Sequence, residues 1–520
     1  MTNTKAPLGR VLMVQGTSSF AGKSTTVAGL CRVFSQAGFR VAPFKAQNMS
    51  NNAAVTHDGG EVGRAQAVQA IAARVPVTAD MNPVLLKPQS DQTSQIVVLG
   101  TAHRVANARE YYALKSSLWP VVTGALDRLR AAYDVVVMEG AGSPAEINLA
   151  QYDIVNMRVA RHADAPVVIV GDIDRGGVFA ALYGTVALLP PEERALVRGF
   201  IINKFRGDAS LLTPGFAMLQ DRTGIPTLGV LPYLDLSRLP EEDGPDRAAP
   251  ARVRGDDAVI DVVVMRLPRI ANLDEFQPLA LEDGVRVRFV DSPSDVGGPD
   301  LIIIPGTKST MADLAWLREK GLDRTICERR DAGTPVLGIC GGYQMLGTRL
   351  VDEHGAEAMG DVAGLSLLPV RTSFSPEKVT RRVTAFVAAS NELWSADGGV
   401  GLDAYEIHMG RTRADAEASL GSAPFTVSTN ESTSATTSDG SCSADGLVVG
   451  TYLHGLFENA VIRRGLVARL ASRKGVALSE PRSVPSIDDA LDELAAALRE
   501  HLDVDAIAEM THLPSLTVSA

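Results

Sequence analysis

Val11-Leu12-Met13-Val14-Gln15-Gly16-Thr17-Ser18-Ser19-Phe20-Ala21-Gly22-Lys23-Ser24 is the stretch whose reading decides the fold of the first half of the chain. Its branched apolar start predicts a buried strand, its glycines a tight turn, and the pattern from Thr25 to Ala37, closed by Gly38, a helix. A glycine-rich turn at a helix N-terminus points backbone amides at phosphate oxygens, and the helix dipole favours the negative charge there. Gly16, Thr17, Gly22, Lys23, Ser24 and Thr25 are therefore the expected ATP-binding set. Lys23 would neutralise β/γ-phosphate charge and Ser24 would ligate Mg²⁺, the expected metal cofactor.

Outward from this loop, Val135-Val136-Val137-Met138, Val167-Val168-Ile169-Val170 and Phe200-Ile201-Ile202 read as further strands separated by helical patterns. Such alternation predicts a mostly parallel sheet covered on both faces. Glu139, at the end of one of these strands and beside Gly140-Ala141-Gly142, is the expected second metal position with Ser24. Asn203, in Ile202-Asn203-Lys204-Phe205-Arg206, is expected to read the adenine base. Guanine readers carry an aspartate where Arg206 stands.

The chain has 520 residues, 45% of them hydrophobic and 21% charged, which predicts a water-soluble globular protein of two or more domains. A net charge of −11 gives no footprint for nucleic acid or an anionic membrane. Four scattered cysteines and no long uncharged apolar run predict a cytoplasmic protein with reduced thiols. The sequence leaves the oligomeric state open, a homo-oligomer included. Ser237 to Asp257, rich in Pro, Asp and Arg, reads as a linker. The expected divisions are a nucleotide-binding domain over 1–236, a linker over 237–257, a second α/β domain over 258–462 and a helical extension over 463–520. Asn430 to Asp445 is Ser/Thr-rich and is expected to be a mobile surface loop with Cys442 as an exposed thiol.

In the second half Ile260-Asp261-Val262-Val263-Val264, Leu301-Ile302-Ile303-Ile304 and Pro335-Val336-Leu337-Gly338-Ile339 are the strand candidates. The last runs into Cys340-Gly341-Gly342, a sharp strand-to-helix turn that exposes a nucleophile and aims the next amide at an oxyanion. Cys340 is the expected nucleophile and His454 its general base, preferred to His408 because its surrounding motif fits. The place two residues after His454 holds Leu456, so the orienting acid is missing or comes from elsewhere. The imidazole is expected to be poorly held as a base. A thiol for acyl transfer and a loop for ATP cleavage suit an enzyme that activates a carboxylate and traps it with ammonia cut from glutamine.

Several segments carry resemblances. The long phosphate loop is similar to that of dethiobiotin synthetase and its relatives, which phosphorylate carboxylates or carbamates. Gly338-Ile339-Cys340-Gly341-Gly342-Tyr343-Gln344 resembles the nucleophile turn of class I glutamine amidotransferases, and Pro305-Gly306-Thr307-Lys308 resembles their second oxyanion loop. This implies Gly306 and Gly341 as oxyanion donors and a flavodoxin-like second domain. Both domains are then doubly wound α/β units, the first P-loop NTPase-like. The order of the halves, with Pro43 to Asn52, Glu61 to Gln66, Met81 to Pro88, Gly171 to Gly177 and Tyr405 to Gly410, resembles the cobyrinate amidase family of cobalamin biosynthesis over nearly the whole chain. Within it, the likeness is to the branch acting on an adenosylated cobyrinic acid a,c-diamide.

The resemblance implies ATP- and glutamine-dependent amidation of the b, d, e and g carboxylates of that corrinoid. Its small-molecule partners would be ATP, L-glutamine and the a,c-diamide. Lys45, Gln47, Asn48, Arg64, Asn82, Lys87 and Arg175, cations and amides suited to carboxylates, are the expected substrate-binding residues. The competing readings are an a,c-diamide synthase, a cell-wall precursor amidase, or a regulatory P-loop ATPase carrying an inert amidotransferase module.

Overall fold

A computed structural model describes residues 8–240, 259–396, 399–415, 419–428, 436–478 and 486–516. Most of the expected linker, from 241 to 257, lies outside these residues.

The apolar runs of the first half form a six-stranded sheet, all parallel. Its order is Thr227–Pro232, Val197–Phe205, Val167–Asp172, Arg10–Gly16, Val135–Glu139, Val41–Phe44. Strands buried on both faces need no polar alternation, which is why these segments read as continuous Val/Ile runs. The phosphate loop, Glu139, Asp172 and Asn203 all fall at the carboxyl ends of their strands, where open parallel sheets bind ligands. Helix Lys23–Gln36 begins at the loop, as the glycine pattern predicts.

The second half repeats the plan with Val285–Val290, Ile260–Met265, Leu301–Ile304, Val336–Ile339 and Val448–Thr451 parallel, and Ser441–Cys442 antiparallel at one edge. Two smaller layers do not follow from the apolar runs. Gln47–Met49, Val84–Pro88, Thr93–Val98 and Thr101–Asn107 make a four-stranded sheet in the first half. In the second half, strands Val370–Val387 and Leu402–Ala414 form a long antiparallel pair. From this pair Tyr405 and Ile407 pack with Ala53, Val55, Leu85 and Val97, an apolar cluster shared by the two halves.

One sequence expectation is corrected by the strands around Cys442. Within the Ser/Thr-rich segment, residues 436–445 are not a loose loop. Thr436–Asp439 pairs with Phe425–Ser428, and Ser441–Cys442 pairs with Val448–Thr451. Cys442 is buried, and burial pushes its thiol up to about 11. Helix Ala460–Lys474 runs across the expected boundary at 462/463, and its Ile462, Leu466 and Leu470 belong to the core of the second half. The chain then returns to the first half. Leu491, Leu494 and Leu498 of helix Ile487–His501 pack in one cluster with Val27, Leu30 and Phe34 of helix Lys23–Gln36. Beside them the buried Arg32 guanidinium pairs with Asp488. The C-terminal helices thus cover the first sheet.

Candidate active sites

At the first site Lys23 Nζ donates to the carbonyl of Ser18 at 2.8 Å and to that of Gly142 at 3.0 Å, so it bridges the phosphate loop and the turn after Glu139. Glu139 is buried at the focus of three donors. Ser24 Oγ reaches it at 2.8 Å, Lys45 Nζ at 2.8 Å and Gln69 Nε2 at 2.6 Å. Ser24 and Glu139 offer hard oxygens at one point, which fits Mg²⁺. Among the described residues no cluster of three acidic, His or Cys side chains could hold a metal alone. An ion that takes most of its ligands from phosphate and water does not need one. Asn203 is committed to the loop: its Nδ2 donates to the Ala21 carbonyl at 2.9 Å and its Oδ1 accepts from Lys204 N–H at 2.9 Å. Lys204 Nζ also holds the loop, through the Phe20 carbonyl at 2.7 Å, and pairs with Asp172 at 2.9 Å.

At the second site Cys340 sits between strand Val336–Ile339 and helix Gly341–Leu346 at φ 50° and ψ −106°, a strained elbow. The helix start packs so closely on Leu301–Ile304 that a Cβ on Gly342 would stand 1.9 Å from the Ile304 carbonyl oxygen. A Cβ on Gly341 would stand 3.1 Å from the Thr307 nitrogen, so the Gly306 loop lies against the nucleophile turn. The Cys340 Sγ lies 3.4 Å from the Ile407 carbonyl and within hydrogen-bonding reach of His454.

The orienting acid comes from elsewhere. Glu275 Oε2 lies 3.2 Å from His454 Nδ1, from the short helix Leu273–Phe276, and leaves Nε2 for the thiol. The Tyr405 ring stacks on the imidazole, 5.3 Å between centroids. Burial alone would lower the His454 pKa, but Glu275 and Cys340 raise it to about 10. The expectation of a loosely held imidazole is therefore corrected. His408 lines the same pocket but stacks on Tyr452 and directs Nδ1 to the Gly410 carbonyl at 2.9 Å.

The expected substrate residues separate into groups. Lys45 joins the Glu139 site. Asn82 is spent within the fold: Oδ1 accepts from Gly63 N–H at 3.0 Å and Nδ2 donates to the carbonyls of Lys45 and Val84. Asn48 Nδ2 donates to Gln66 Oε1 at 2.9 Å, and Gln47 Oε1 accepts from Tyr111. Arg64 and Lys87, from the first half, reach the thiol site instead. Arg64 donates to the Tyr405 hydroxyl and pairs with Asp274 at 2.9 Å. Lys87 lines the pocket of Cys340 and His454, and with Lys378 it pairs with buried Glu61. The two ammonium groups hold that carboxyl well below its usual range although burial pushes the other way. Lys308 and Glu357 complete that wall; burial and the neighbouring Lys378 and Lys87 pull Lys308 down, and burial raises Glu357. Arg175 is exposed.

The sequence reading missed Glu275 and Gln69. Glu275 is 179 residues from His454, and its only signal is the acidic pair Asp274-Glu275 downstream of the first strand of the second half. Gln69 shows none, since a Gln inside a helical pattern is ordinarily a surface residue.

A P-loop nucleotide site joined to a buried Cys-His-Glu site defines a nucleotide-binding glutamine amidotransferase. Residues 12–245 match the CobQ/CobB/MinD/ParA nucleotide binding domain family, and residues 261–461 the CobB/CobQ-like glutamine amidotransferase domain family. The chain is 51% identical to the cobyric acid synthase of Sorangium cellulosum over 95% of this chain and 96% of that one. It is 48% identical to that of Dehalococcoides mccartyi strain CBDB1 over 96% and 98%, and 50% identical to that of Desulforudis audaxviator over 93% and 97%. The chain belongs to the cobyric acid synthase family, glutamine-dependent amide ligases of cobalamin biosynthesis.

Proposed function

We propose that the chain converts the b, d, e and g carboxylates of adenosylcobyrinic acid a,c-diamide to amides, giving adenosylcobyric acid, with ATP and glutamine as co-substrates. The observation that carries this reading is the pairing of a phosphate loop facing Glu139 and Lys45 with an assembled Cys340-His454-Glu275 site in a chain of this family.

At the thiol site His454, held as imidazolium by Glu275, keeps the proton given up by Sγ, and the thiolate attacks the carboxamide carbon of glutamine. The amides of Gly306 and Gly341 receive the oxyanion. The C–N bond breaks as His454 returns its proton to the leaving nitrogen, releasing NH₃. Water then cleaves the thioester to glutamate and free Cys340. Lys87, Lys308, Lys378 and Glu357 provide charges of both signs for the carboxylate and ammonium ends of the amino acid.

At the nucleotide site a corrinoid carboxylate oxygen attacks the γ-phosphorus of ATP, the β–γ bridging P–O bond breaks, and ADP leaves. NH₃ then attacks the acyl carbon, inorganic phosphate departs, and the nitrogen loses a proton. Lys23 and Lys45 carry the developing phosphate charge. Ser24 and Glu139 would hold Mg²⁺, which when bound neutralises the β- and γ-phosphates. Exposed Phe20, Ile147 and Tyr152, at the carboxyl end of the sheet, offer apolar surface to a macrocycle, and Arg175 a cation to its carboxylates. The four cysteines are free, which suits a reducing cytoplasm.

Cys340→Ser tests the division of labour. Synthesis from glutamine is expected to vanish and synthesis from ammonium salts to persist. Loss of both in a folded variant would refute it.

A further inference from the structure

The reacting centres lie in different halves of the chain, and a continuous buried seam of neutral amides joins them. It starts at Asn272 in the wall of the Cys340 pocket, whose Nδ2 lies 3.4 Å from His454 Nδ1. Asn272 Oδ1 accepts from the Ala53 N–H at 3.0 Å, and Ala53 pairs across a short ladder with Gly63. Gly63 abuts the hydrogen-bonded pair of Asn48 and Gln66. Gln66 and Gln69 lie one turn apart on helix Arg64–Ala72, and Gln69 ends the series on Glu139. Gln66 is 0% and Gln69 1% exposed.

Two of these amides are half-used. Gln66 Nε2 and Gln69 Oε1 have no hydrogen-bond partner among the described residues. Buried polar atoms of this kind call for an occupant. Here one is a donor and the other an acceptor. Ammonia has one lone pair and three N–H groups, so it can accept from Gln66 Nε2 and donate to Gln69 Oε1. Carboxamides do not titrate near neutral pH, so a molecule passed along them stays NH₃, the only form that can attack an acyl phosphate.

Gly63 shows how closely the seam is fitted. A Cβ there would stand 2.4 Å from Asn48 Nδ2 and 2.8 Å from Gln66 Oε1. Its φ of −61° and ψ of 142° are open to any residue, so this close approach, not the backbone, is what asks for glycine.

We propose that the seam Asn272–Ala53–Gly63–Asn48–Gln66–Gln69 is the path by which ammonia reaches Glu139 from Cys340, with Gln66 and Gln69 as its binding point. The proposal rests on the amidation read above. The test uses the full chain with ATP, glutamine and the corrinoid a,c-diamide, and compares amide formed with glutamate released. Gly63→Ala puts a methyl group into the seam without backbone strain, and Gln66→Leu removes the donor. In both, amide per glutamate is expected to fall roughly tenfold, which corresponds to about 1.4 kcal/mol of added barrier to transfer. Free ammonia should appear in solution, while glutamate release and ammonium-driven synthesis stay near wild type. A wild-type ratio in both variants overturns the path, as does an equal fall in ammonium-driven synthesis, which would place the damage at the nucleotide site. Wild-type protein that makes no amide from glutamine would instead refute the activity itself.

Discussion

Glu275→Gln is the most informative single change at the thiol site. Gln can still accept from His454 Nδ1–H, so the substitution removes charge and leaves shape. In the native site burial lowers the imidazole pKa, and Glu275 with Cys340 more than reverses this, from 6.5 to about 10. Each pKa unit corresponds to about 1.36 kcal/mol between charged and neutral imidazole. Glu275 is the leading charge in that rise, and a loss of about 2.7 kcal/mol in its hold on the imidazolium slows glutaminase roughly 10²-fold. Loss of the correct tautomer as well would take this toward ~10⁴-fold, the cost of that loss in a serine triad. Glutamate release at saturating glutamine is the assay, with ammonium-driven synthesis as the control, which should not change. Glutaminase within about threefold of wild type would refute the role given to Glu275. The same pair makes a pH-dependent contribution to stability. His454 has a raised pKa in the folded state, so the advantage of wild type over Glu275→Gln is full below pH 6.5 and is lost as pH rises through about 10. A difference in Tm that widened over that window would contradict the assignment.

Other changes probe the remaining contacts. Lys23→Ala should remove synthesis from both glutamine and ammonium, because the γ-phosphate loses its cation, while basal glutaminase persists; a normal ammonium-driven rate would overturn the ATP-site assignment. Arg64→Ala leaves Asp274 buried without its partner, a loss of about 3–5 kcal/mol, and frees Tyr405 from one of its holds. Thermal unfolding should shift down and glutaminase fall, although Arg64 lies in the nucleotide-binding half; an unchanged glutaminase would show that Tyr405 keeps its stack on His454 unaided. Cys442 should resist alkylation in the native protein longer than the half-exposed Cys327, and equal rates by peptide mass analysis would show the strand Ser441–Cys442 opening freely.

The parallel sheets were legible because their strands are buried on both faces and so read as unbroken Val/Ile runs. The phosphate loop and the Cys340 turn were legible because close backbone approach demands glycine at fixed spacing. What escaped were features set by long-range contact. Glu275 meets His454 only after the second sheet closes. Thr436–Asp439 is exposed at three of four positions and carries no apolar pattern, so nothing local marks it as a strand. Arg64, Lys87 and Asn82 have the chemistry of carboxylate binders, but composition cannot tell a ligand contact from a buried structural partner. Helix Ile487–His501 is plainly amphipathic in sequence, yet only the structure shows that its apolar stripe covers the nucleotide-binding half.

The most direct measurement is the mass of the corrinoid after turnover with ATP and L-glutamine. Adenosylcobyrinic acid a,c-diamide should lose about one dalton at each of the b, d, e and g positions as acid becomes amide, with ADP and glutamate rising in step. ATP and glutamine consumed with no change in corrinoid mass would contradict the account.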